Sequence, residues 1–164
     1  MRQFIAVALA LFSAALAPAL VFSSILLALG GKDALPTLAL AFVAAFVVAL
    51  AHVLVLGLPV SGWLMRLGRF KFRPMLLFGF IVGLVPVAIW AQPYKYSDAQ
   101  YSSWSEGVQK YRGGIPTLAG WLDYLELITS AGALGAVGGA VFYFVYRSIS
   151  PNNSFKPKPL RGSA

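Results

Sequence analysis

Four long apolar runs leave this chain few choices of fold. The first extends from Phe4 to Leu29 and is interrupted only by Ser13, Pro18, Ser23 and Ser24. At about 1.5 Å per helical residue it exceeds the roughly 30 Å hydrocarbon core of a bilayer. The others run from Leu35 to Leu64, from Met75 to Trp90 and from Gly120 to Tyr146. Residues in hydrocarbon must satisfy their backbone groups internally, so runs of this kind fold as helices. The chain has 164 residues, of which 59% are hydrophobic and 11% charged. Soluble domains are about a quarter charged, so these side chains cannot furnish a water-facing surface. The expectation is an all-α integral membrane four-helix bundle.

The spans are expected at about 4–29, 35–64, 75–90 and 120–146, within one domain of residues 1–147. Arg2, the apolar core and the small residues around Ala15-Leu16-Ala17 resemble a signal peptide, but Pro18 and the continuing apolar run favour an uncleaved helix. Gly57 and Pro59 read as a break near the end of the second span. A basic hairpin follows at Arg66, Arg69, Lys71 and Arg73, and a polar, aromatic-rich external loop at 91–119. In that loop, Ala99 to Tyr111 reads as a short surface helix stopped by Gly113-Gly114-Ile115-Pro116. The Pro-, Asn- and Lys-rich tail, 148–164, reads as disordered and cytoplasmic.

Basic residues orient the spans. Arg2, Arg66, Arg69, Lys71, Arg73, Arg147, Lys156, Lys158 and Arg161 fall on one side, against Lys32, Lys95, Lys110 and Arg112 on the other. Nine against four predicts both termini inside, in a bacterial inner membrane. The net charge of +8 therefore reads as topology signal and lipid contact, with no nucleic-acid partner. The chain has no cysteine, which excludes disulfides and thiolate chemistry, and its single histidine has no partners for a zinc site. No cofactor motif is present.

His52 is the one ionisable residue of the second run. Such residues usually face the bundle interior and mark function. Counting from Leu35 places it about 25 Å below the outer end, in the cytoplasmic third. It reads as a neutral ring hydrogen-bonded across the bundle, or as a proton or ligand site. Asp123 and Glu126 share a helix face and can pair for acid/base work or a cation, although acids at a helix start more simply favour its positive dipole end. Gly79 and Gly83 on the third run, and Gly135 and Gly139 on the fourth, have the spacing that lets helices approach closely. They read as contacts between those runs, with a homo-oligomer through the fourth as the alternative. Tyr94, Tyr96, Tyr101 and Trp104 form a candidate external binding surface or a belt of interfacial anchors.

The last residues, Asn152-Asn153-Ser154-Phe155-Lys156-Pro157-Lys158-Pro159-Leu160-Arg161-Gly162, resemble the peptide made when a reading frame runs into an integron gene-cassette recombination site. That resemblance implies a mobile bacterial gene and says nothing of the fold. The body, with His52 ahead of Gly57-Leu58-Pro59 and then Gly83-Leu84-Val85-Pro86, resembles small four-span bacterial inner-membrane proteins. No activity is implied by it.

Coupled transport usually needs an acid or ion site near the midplane, and an enzyme needs a nucleophile or an acid/base pair at one depth. Neither is legible here. The small multidrug exporters rely on an acid deep in their first helix, and the first run here has none. The expected role is a non-catalytic accessory or interaction protein in the lipid bilayer, contacting a membrane or periplasmic partner. A small transporter using His52 is the alternative, and a membrane-embedded enzyme the second.

Overall fold

The computed structural model describes residues 2–30, 35–93, 101–105 and 107–150. Helix α1 is Arg2–Gly30. Helix α2, Leu35–His52, runs through a π-helical turn at Val53–Gly57 into α3, Leu58–Arg66. Helix α4 is Phe72–Trp90 and α5 is Leu118–Ile149. Taken together, Phe4–Gly30, Leu35–Arg66, Phe72–Trp90 and Leu118–Ile149 are four helices long and apolar enough to cross a membrane.

The break expected at Gly57 and Pro59 does not occur. Leu58 donates to the carbonyl of Val53, five residues back, so the chain takes up one extra residue without leaving the helix. Pro59 then falls in the first turn of α3, where a missing N–H does little harm. The second apolar helix therefore continues to Arg66. It ends in a Schellman turn: Arg69 N donates to Leu64 O at 3.0 Å and Gly68 N to Met65 O at 3.1 Å. Gly68 holds φ at +66°, a conformation that favours glycine.

The loop between α4 and α5 is not the expected surface helix. It carries a three-stranded antiparallel sheet in the order β1 (Ser103–Ser105), β2 (Val108–Arg112), β3 (Ile115–Pro116). Arg112 pairs with Ile115 across Gly113-Gly114, both at positive φ, the signature of a tight two-residue hairpin. The serines at 102, 103 and 105 bond readily to nearby backbone and weaken a helix, while Trp104, Val108 and Tyr111 favour a strand.

The sheet is fixed to the start of α5. The Thr117 hydroxyl donates to Gln109 O at 2.6 Å and accepts from Gly120 N at 3.3 Å, so one side chain ties β2 to the helix it caps. Gly120 lies directly against the carbonyl of Lys110, with no room for a Cβ. Helix α5 thus starts two residues before the expected position and ends at Ile149, so Ser148 and Ile149 are helical rather than part of a disordered tail. Residues 151–164 lie outside the described residues.

Close backbone approach sets the packing. A Cβ on Gly79 would lie 2.5 Å from Gly135 O, and one on Gly83 would collide with Ala131 O. Gly135 and Gly139 are blocked in return by the carbonyls of Gly79 and Met75, so these four glycines meet between α4 and α5 of the same chain. Tyr124 adds a hydroxyl bond to Ala88 O at 3.0 Å toward the sheet end. Helix α1 presents Ala6, Ala10 and Ala14, all buried, and Gly138 of α5 fits under Ala14 O. At the hairpin end, the Phe70 ring packs 5.2 Å from Tyr146 and 5.6 Å from Tyr143, closing the core.

Candidate functional site

Helix α5 packs on both α1 and α4, whereas α2 rests on α1 and reaches α4 chiefly through the π turn. No residue of α2 is buried. The space left between α2 and the α4–α5 pair is a groove of about 460 Å³, floored by α1. That volume lies within the ordinary range for a small-molecule site.

The walls follow from the sequence of each helix. Ala41, Ala45 and Ala49 recur every four residues, placing three methyl groups in line on one face of α2. Val48 and His52 continue that face. Opposite them, Gly79 and Gly83 contribute backbone and Phe78 a ring. Small side chains on both walls keep the groove open. Among the described residues, His52 is the only polar side chain lining it.

His52 is half-buried, and its Nδ1 lies 2.7 Å from Val48 O, one turn back in the same helix. The cross-bundle hydrogen bond expected for it is not made, because the wall it faces offers hydrocarbon and glycine. It stands about 25 Å along the helix from Leu35 and about 21 Å from Arg66. The π turn begins at the next residue.

Asp123 and Glu126 do not join it. Glu126 is about 12 Å from the start of α5 and exposed. Asp123 forms an ion pair with Lys110 at 2.8 Å, linking α5 to β2. The dipole reading fails for both acids, since Thr117 is the cap and neither carboxylate falls in the first turn. Among the described residues there is no cluster of three metal-ligating side chains.

Of the loop aromatics, Tyr101 stacks edge-on against Tyr111 at 5.3 Å, while Trp104 on β1 is 65% exposed. Tyr94 and Tyr96 lie outside the described residues. Ile115, at 66% exposure, is an outward apolar side chain of the sheet that the sequence reading passed over. Its signal was present: Ile115 follows a Gly-Gly hairpin.

The groove itself was also missed. The alanines spaced by four on the His52 face were its sequence signal. No protein-family model, curated protein or solved structure matches this chain significantly.

Proposed function

We propose that the chain is a multi-pass protein of a bacterial inner membrane, with both termini in the cytoplasm, and that it acts without catalysis by binding an apolar molecule taken from the lipid phase. The observation that carries this reading is the 460 Å³ groove with hydrocarbon walls and one polar side chain, His52. A site of that kind binds by shape and a few placed polar groups. Transport through the same groove, using His52, is the alternative. The cassette-like tail places the gene, in this proposal, among mobile adaptive genes.

A second reading makes the outer sheet a surface for a membrane or periplasmic protein partner. It is favoured by Trp104 and Ile115, exposed on a sheet that the Thr117 hydroxyl and the Lys110–Asp123 pair link to α5. Self-association through α5 would use a face other than that of Gly135 and Gly139, which α4 covers.

A growth screen separates the readings. Hosts expressing the wild type, Ala45→Trp, His52→Ala or Trp104→Ala are compared across lipophilic drugs, metals and osmotic stress. The expected result is a phenotype under lipophilic compounds that Ala45→Trp removes at unchanged protein level and Trp104→Ala keeps. A phenotype lost only in Trp104→Ala would transfer the function to the outer sheet.

A further inference from the structure

Val48 O can only accept a hydrogen bond, so the contact at 2.7 Å assigns the proton to Nδ1 of His52. In the neutral ring Nε2 then keeps its lone pair, and it has no partner among the described residues. The Val48 bond also restrains the ring, so the acceptor has a fixed place in the groove wall. Every other described residue lining the groove is apolar, without cation or carboxylate.

We propose that the groove selects an apolar molecule bearing one hydroxyl, a lipophilic phenol or alcohol whose O–H donates to Nε2 of His52. This rests on the binding reading above and names its ligand class. Phospholipid headgroups do not fit, because their several charged and polar atoms would meet hydrocarbon everywhere but at His52 among the described lining residues. Anions and cations meet no counter-charge. A ketone, ether or ester offers only acceptors, and pairing with it would require the tautomer that gives up Val48.

A hydroxyl gains on both sides: in hydrocarbon the O–H and the Nε2 lone pair are each unsatisfied until they meet. His52 is half-buried, so the wrong ligand leaves its acceptor only partly desolvated and the discrimination is modest. Of a hydroquinone and its quinone, the groove takes the hydroquinone.

The test uses a matched pair of probes, para-decylphenol and para-decylanisole, which differ by methylation of the oxygen. Each is titrated into the nanodisc-embedded wild type, His52→Phe and Ala45→Trp. The chain has one histidine, so its 15N-imidazole spectrum needs no assignment. The phenol is expected to bind about 10-fold more tightly than the anisole, equivalent to ~1.4 kcal/mol. It should also shift the Nε2 resonance where the anisole does not. His52→Phe should bind both alike, and Ala45→Trp neither. Equal binding of the probes to the wild type with Nε2 unmoved would overturn the hydroxyl selection and leave the groove reading standing. Binding of neither would overturn both.

Discussion

Replacing Gly135 with leucine is expected to detach α4 from α5 and to be the most destabilising single substitution in the chain. The position has no space for even a methyl group: an added Cβ would overlap Gly79 O, and the Cα and N of Gly83 lie 2.9 Å away. All three neighbours are backbone, so no rotamer change relieves the clash and the helices must separate. Overpacking of ordinary cores costs about 1–3 kcal/mol; an obstruction by the backbone of a neighbouring helix should reach the top of that range or pass it. Ala133→Leu, on an exposed position of the same helix, is the control and should be nearly neutral. Unfolding in mixed detergent–SDS micelles measures both. Equal stability of the two variants would show that close α4–α5 contact does not hold the fold together.

Topology gives an all-or-none outcome. The hairpin between α3 and α4 lies at the end of the bundle opposite to the sheet between α4 and α5. Among the described residues, Arg2, Arg66, Arg69, Lys71, Arg73 and Arg147 fall at the hairpin end, against Lys110 and Arg112 at the sheet end. Insertion retains the end rich in Lys and Arg in the cytoplasm. Alkaline phosphatase fused near Ser103 should be active, and fused at Ala164 inactive. Activity at Ala164 would reverse or break the four-span arrangement.

The apolar helices were legible because burial in hydrocarbon demands long unbroken runs, and composition alone reveals those. Their ends depended on backbone detail that hydropathy does not carry. The π turn at Val53–Gly57 kept Pro59 inside a helix, and the Thr117 hydroxyl started α5 ahead of its first strongly apolar stretch. In the loop, strand and helix propensities were close, and the paired glycines at 113 and 114 settled the matter by fixing a hairpin. Gly79, Gly83, Gly135 and Gly139 stood out by spacing, and the structure brings all four together.

The groove was harder to read. It exists because α1 and α4 both close on α5, leaving α2 a single flank to lean on. No periodicity in α2 states which helices it will fail to touch. His52 was visible as an oddity, yet its hydrogen bond to Val48 O depends on the ring's rotamer, which spacing does not state.

Photolabelling tests the groove most directly. A diazirine-bearing hydrocarbon is partitioned into nanodiscs holding the protein, activated by light, and its adducts are located by mass spectrometry. Adducts should concentrate on the facing walls, at Ala41, Ala45 and Ala49 and around Phe78, and should disappear in Ala45→Trp. Adducts scattered over the outward residues Leu40, Val43 and Val47, and unchanged by Ala45→Trp, would contradict a binding groove.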